Sequence, residues 1–302
     1  MKISLLALLV LLVLLVVFSL LSTKERSVAN KTETSAVRYK IKDLRKHGVS
    51  LIAPSDAAGL GKTVTIDPYS VVMKNTNGRS IVGYSIKWEC FGGERESPNR
   101  DTSYDYRLSN ILGLVFMYGD ESERSTVLSR LDGVIAPNST WLLSPNFPAR
   151  RLHEGGDEIP PGPTATVFAE VLAACPVMTI IADGIFFDDG TFVGPDTRDF
   201  FAKVKTQVEV RHEVLERFQS ELTSGKTPTD VFRGLEQAHA REFEPAGERE
   251  MSADETRAYF TNLFARDLLG TKTVLGEHKT IENVQRQLSR PWVTLRRLAT
   301  ED

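Results

Sequence analysis

The sequence predicts an α+β protein: a single N-terminal transmembrane helix, an antiparallel β-sandwich-like domain and a C-terminal helical hairpin or bundle. Three observations carry the prediction. Residues 3–22 form an uncharged apolar run, ISLLALLVLLVLLVVFSLLS. Residues 49–195 hold several short strand-like segments separated by turn signals, with no helical pattern between them, which argues for a sandwich or barrel rather than a βαβ sheet. After Gly194-Pro195 the apolar spacing changes from period two to a 3-4 rhythm. The divisions are therefore 1–22, transmembrane helix or signal segment; 23–48, polar linker; 49–195, sandwich-like domain; 196–302, helical region.

Twenty residues at about 1.5 Å rise give roughly 30 Å of helix, the thickness of a bilayer's hydrocarbon core. A signal peptide has a shorter apolar core and a small-residue cleavage site. No such site follows Leu20-Leu21-Ser22, and Ser27-Val28-Ala29 lies behind Lys24, Glu25 and Arg26. The run therefore favours a retained anchor over a cleaved signal, and residues 3–22 make the membrane the expected partner. Orientation has two competing signals. Lys24, Arg26, Lys31, Arg38, Lys40 and Lys42 would hold the following domain in the cytoplasm by the positive-inside rule. An N-terminal run after a lysine at position 2 has the form of an export signal, and the exported side is favoured. The basic stretch from Lys24 to Lys46 reads as a solvated linker, with contact to anionic headgroups as the alternative.

In the linker a short helix is expected near Tyr39–Lys46. The region 63–75 reads as one strand and Asn77-Gly78 as a tight hairpin turn. From Ser80 to Cys90 the alternation is clean: Val82, Tyr84, Ile86, Trp88 and Cys90 on the inward face, and Gly83, Ser85, Lys87 and Glu89 outward. Residues 91–110 read as a loop. Leu112–Tyr118, Gly133–Ala136 and Trp141–Leu143 are shorter strand candidates, and 146–163 is a proline- and glycine-rich excursion. Residues 164–174, 177–187 and 191–193 read as strands. Asp196 is placed as the cap of a long helix that reaches about Ser224 and leaves at Gly225. Its apolar stripe is Phe201, Val204, Val208, Leu215, Phe218 and Leu222, interrupted at Arg211. The stripe suits an intramolecular core better than a coiled-coil seam. Thr227-Pro228 starts a second helix, Ser252 with Glu255 caps a third that ends at Gly270, and a fourth covers about 279–288.

The chemistry legible in the chain is sparse. Net charge is −3 with 25% charged residues, which gives a nucleic-acid role no electrostatic support. Ala57-Ala58-Gly59-Leu60-Gly61-Lys62-Thr63 has the end of a phosphate loop, but Asp56 stands where its first glycine belongs, and a strand follows. His212-Glu213 begins like a zinc HExxH, yet Glu216 occupies the second histidine position. No metal and no cofactor are expected. Asp183, Asp188 and Asp189 are the candidate site residues, dense carboxylates near glycine turns; with Asp196 they suit β-turn and cap chemistry, and a weak Ca²⁺ site or acid–base work are the alternatives. Cys90 and Cys175 each end a strand-like segment, and a disulfide and two buried thiols are both open. Asn30-Lys31-Thr32 and Asn138-Ser139-Thr140 match glycosylation sequons.

The segments Ser80–Trp88 (SIVGYSIKW) and Asp183–Asp196 (DGIFFDDGTFVGPD) resemble stretches of uncharacterised bacterial exported or membrane-anchored proteins, in which a β-sandwich precedes a helical tail. The resemblance covers about residues 60–220 and implies no known activity. The expected function is a membrane-anchored or exported module without enzymatic activity, acting in binding or envelope structure. The alternative is a hydrolase-like enzyme whose carboxylates at Asp183, Asp188 and Asp189 converge in a cleft.

Overall fold

A computed structural model describes residues 38–53, 56, 70–91, 104–144, 147–151, 175, 177–239 and 251–299. Ten strands are named: β1 (Arg38–Lys42), β2 (Val49–Ile52), β3 (Val71–Asn75), β4 (Ile81–Phe91), β5 (Tyr104–Ile111), β6 (Thr140–Ser144), β7 (Phe147–Arg151), β8 (Val177–Phe187), β9 (Thr191–Val193) and β10 (Arg296–Arg297). Five α-helices join them: α1 (Glu121–Leu128), α2 (Phe200–Thr223), α3 (Pro228–His239), α4 (Ala253–Leu275) and α5 (Glu277–Leu288).

The strands form two sheets. One runs β10-β9-β8-β4-β5, with β1 also paired to β8; the other runs β2-β3-β6-β7. Their facing sides share one core. Val49, Leu51, Val71, Met73, Trp141 and Leu143 of the smaller sheet meet Tyr84, Ile86, Trp88, Met178, Ile180 and Phe187 of the larger. The opposite face of the larger sheet carries a second core, where Val82, Phe186 and Phe192 pack against Val115 and Phe116 of a 3₁₀ turn (Gly113–Met117) and against Phe200 and Val204 of α2.

Two parts of the predicted fold class are corrected. No helix among the described residues is long and apolar enough to cross a membrane. Residues 3–22, where the transmembrane helix was expected, lie outside the described residues. The sandwich is also not purely antiparallel. β1 runs parallel to β8 and β10 parallel to β9, so the flank of the larger sheet beyond β8 is mixed, whereas β5 on the other flank is antiparallel to β4.

The Asn77-Gly78 turn does not close a hairpin. β3 pairs with β2 and β6, whereas β4 pairs with β5 and β8, so the turn carries the chain from one sheet to the other. Asn75 holds this crossing. It is fully buried, and its amide donates to the carbonyls of Arg79 (2.9 Å), Ile135 (3.0 Å) and Ala136 (3.2 Å), while its side-chain oxygen accepts from Asn77 N–H (3.0 Å). An Asn75→Ala variant strips partners from buried carbonyls and should lose about 2–3 kcal/mol, read from denaturant unfolding.

β4 follows the expected alternation from Tyr84 to Cys90, all buried in the inter-sheet core. Val82 departs from it. A bulge between Ile81 and Gly83 turns Val82 to the second core, because one extra residue shifts every side chain before it to the other face. Residues expected as loop at 104–110 form β5, and Tyr39–Lys42 is strand rather than helix. The segment 112–118 is the 3₁₀ turn, and 133–136 contributes an isolated bridge from Ile135 to Ile81. Helix α1 and strand β10 were not expected. The strand candidate 164–174 and the phosphate-loop-like 57–63 lie outside the described residues.

The helices match the caps that the sequence carries. Ser252 and Glu255 form a complete capping box on α4, which continues through Gly270 to Leu275. The apolar stripe of α2 is divided between two cores. Phe200, Phe201, Val204 and Val208 face the sheet, whereas Val214, Leu215, Phe218 and Leu222 pack on α3, α4 and α5 with Val231, Phe232, Leu268 and Val284. Arg211 marks the change of face. Its guanidinium reaches Asp267 at 3.2 Å and lies 5.0 Å over the Phe264 ring. Burial of the stripe inside one chain removes it as a dimer seam.

Candidate functional site

β8 is almost wholly apolar, so a charge inside it needs a specific partner. Asp183 is that charge, and its side chain is fully buried. Ser85 of β4 pairs with Gly184 and Ile86 with Ala182, which leaves Asp183 as the extra residue of a β-bulge. The bulge turns its carboxylate away from the inter-sheet core. There Arg107 of β5 meets it in an ion pair, and the Thr197 backbone N–H donates to both carboxylate oxygens at 3.2 Å.

Arg107 ties this centre to three elements. Its guanidinium donates to Asp183 and to Ser85 Oγ (3.4 Å) through one terminal nitrogen, and to Thr197 Oγ1 (3.0 Å) through the other. Ser109 Oγ donates to Ser85 Oγ at 3.2 Å. The segment after β9 is held close: Asp196 N–H donates to the Asp183 carbonyl at 2.7 Å. Gly194 sits at φ +128°, and a Cβ there would lie 2.6 Å from the same carbonyl, so no larger residue fits.

The expected cap, Asp196, is not the N-cap residue, which is Asp199 and makes no side-chain cap hydrogen bond. The helix starts at Phe200, and the Asp196 carboxylate accepts from Phe201 N–H (3.2 Å) and from Arg297 (3.1 Å). Burial pushes its pKa up, opposed by the backbone donors and Arg297.

Asp188 and Asp189 occupy the β8–β9 turn. Asp189 accepts from Arg79 (2.8 Å), Arg296 (2.9 Å) and Thr191 N–H (3.0 Å). Burial opposes its ionisation, but the donors from Thr191 and Arg79 outweigh it and hold its pKa below the usual carboxylate value. Asp188 shows the opposite sign. Burial raises its pKa; Arg124 lowers it in part, and the Asp189 charge raises it further. Ionising Asp188 therefore costs more in the folded chain than in the unfolded one, and that cost disappears as pH falls below its unfolded pKa. Asp188→Asn should raise the melting temperature at pH 7 and leave it unchanged at pH 3, measured by thermal scans at both.

Two of the three candidate carboxylates thus meet different guanidinium groups, Arg107 for Asp183 and Arg79 with Arg296 for Asp189, whereas Asp188 feels the charge of Arg124 without an ion pair among the described residues. A groove of about 410 Å³ lies elsewhere, between α2 and α3, lined by Val214, Phe218, Val231 and Leu235 and rimmed by Glu213, Arg217 and Lys226. Among the described residues no group of three His, Cys, Asp or Glu side chains is arranged to hold a metal ion. What this arrangement does chemically is neutralise and orient. Asp183 ties β5 to β8, Asp189 ties the β8–β9 turn to the C-terminal segment, and Asp196 ties that segment to the start of α2.

Sequence reasoning missed the cationic half of these pairs. Arg107 stands in a polar stretch with the composition of a loop, and Arg79, Arg296 and Arg297 carry no local signal. A single aspartate inside an apolar strand was the one available sign that a buried partner existed.

Cys90 and Cys175 are joined in a disulfide across 85 residues of sequence. The bridge ties the end of β4 to a residue two positions ahead of β8, beside the longest strand pairing of the larger sheet. Comparison with known protein families, with curated proteins and with solved structures finds no match to this chain.

Proposed function

We propose that this chain is an exported module without enzymatic activity, acting in binding or in envelope structure. The observation that carries the reading is the Cys90–Cys175 disulfide, because structural disulfides persist in oxidising compartments and are rare where thiols are kept reduced. Two further features support it. Two of the three candidate carboxylates, Asp183 and Asp189, are occupied by structural ion pairs. The apolar run at 3–22 is the kind of segment that engages a membrane translocation machine.

The test is fractionation of cells with protease protection, combined with thiol trapping by acid quench and alkylation. Export predicts that the domain becomes protease-accessible once the outer permeability barrier is opened, with the plasma membrane intact, and that neither cysteine is alkylated before reduction. A protected domain with both thiols alkylated would overturn the reading.

A further inference from the structure

β1 is an edge strand. It pairs with β8 on one side, and no strand among the described residues takes the other. Its side chains divide sharply. Tyr39 and Ile41 pack into the inter-sheet core, whereas Arg38, Lys40 and Lys42 are exposed on the opposite face. Alternate residues of a strand stand about 6.6 Å apart, so the three cations form a straight row about 13 Å long. None has a carboxylate partner among the described residues. Asp43, the nearest acid in sequence, pairs with Arg45. Lys46, in the 3₁₀ turn (Arg45–His47) after β1, adds a further exposed cation.

We propose that the outer face of β1 is a docking strip for an anionic lipid surface. The strip offers regularly spaced charge and neither a pocket nor an apolar contact, so its chemistry reads charge density in a plane rather than the side chains of a peptide. The chain ahead of it points to the same partner. Residues 23–37 carry Lys24, Arg26 and Lys31 against Glu25 and Glu33, and before them lies the uncharged apolar run 3–22. Exposed cations are drawn to anionic headgroups within a Debye length, about 8 Å at physiological salt. The inference needs only a bilayer with anionic lipid and does not rest on the exported reading.

The experiment is flotation of the purified full chain with vesicles of phosphatidylcholine alone and of phosphatidylcholine with phosphatidylglycerol. The readout is the ratio of the two partition coefficients, which cancels the contribution of the apolar run. Wild type is compared with the triple variant Arg38→Gln, Lys40→Gln, Lys42→Gln and with Lys40→Gln alone. The ratio should fall roughly five-fold for the single variant and on the order of a hundred-fold for the triple, and the wild-type ratio should collapse in high salt. An intact disulfide and an unchanged melting temperature show that the variants are folded. An equal ratio in wild type and both variants overturns the proposal. So does a triple variant that aggregates without change in the ratio, the behaviour of cations that only keep an edge strand from pairing with another chain. Tight wild-type binding to polyphosphate beside a flat vesicle ratio would also overturn it, in favour of a soluble acidic polymer.

Discussion

Replacing Arg107 with methionine is expected to lower stability by about 3–5 kcal/mol, because the substitution leaves the fully buried Asp183 carboxylate without its counter-charge. The loss should appear as a shift in denaturant midpoint at unchanged slope. The companion variant decides the cause. Arg107→Met combined with Asp183→Leu removes both charges, and it should recover most of the loss, since a buried ion pair replaced by apolar groups of similar volume is often neutral. A double variant as unstable as the single would place the energy in the hydrogen bonds to Thr197 and Ser85 instead. Thr197 gives a local readout. Its backbone N–H loses an ionised acceptor in the double variant, so its hydrogen exchange should quicken relative to that of the β4–β8 ladder.

Removing the disulfide carries the second large effect. A bridge closing 85 residues restricts the unfolded chain by about 4.5 kcal/mol on the loop-entropy account. Cys90→Ala with Cys175→Ala should lose stability of that order, and wild type unfolded with reductant present should fall to a similar midpoint. Both cysteines are buried, at 6% and 2% exposure, so alanine also leaves small voids and the variant should be the weaker of the two. Equal stability with and without reductant would show that the covalent link constrains little.

The elements that the sequence foretold are those whose local pattern is also their tertiary role. β4 from Tyr84 to Cys90 alternates because one side meets a core, and α4 begins at Ser252 because its capping box is local. The failures share one physical origin: the deciding contact is distant. Asn77-Gly78 satisfies the conformational needs of a turn, but turn chemistry does not specify whether the flanking strands pair with each other or join different sheets. Asn75, which decides it, acts through carbonyls about sixty residues away at Ile135 and Ala136. The bulges at Val82 and Asp183 are invisible in a one-strand pattern because they are defined by the partner's count. β1 was read as helix since its alternating cations show no apolar face until β8 lies beside them. The site fared likewise. Asp183 stood out, but its partner Arg107 lies 76 residues earlier, in a stretch whose polarity reads as loop.

The division of α2 between two cores gives the molecule a phase requirement. A 24-residue helix at about 1.5 Å per residue is a rod of some 36 Å, and each residue turns it by about 100°. Phe200 to Val208 fix the angle at one end and Leu215 to Leu222 at the other, so the number of residues between them sets how the sheet and the helical cluster are rotated about a common axis. A single residue inserted beside Arg211 would lengthen the rod by only about 1.5 Å, yet it would swing the second apolar face a quarter turn and more away from α3, α4 and α5.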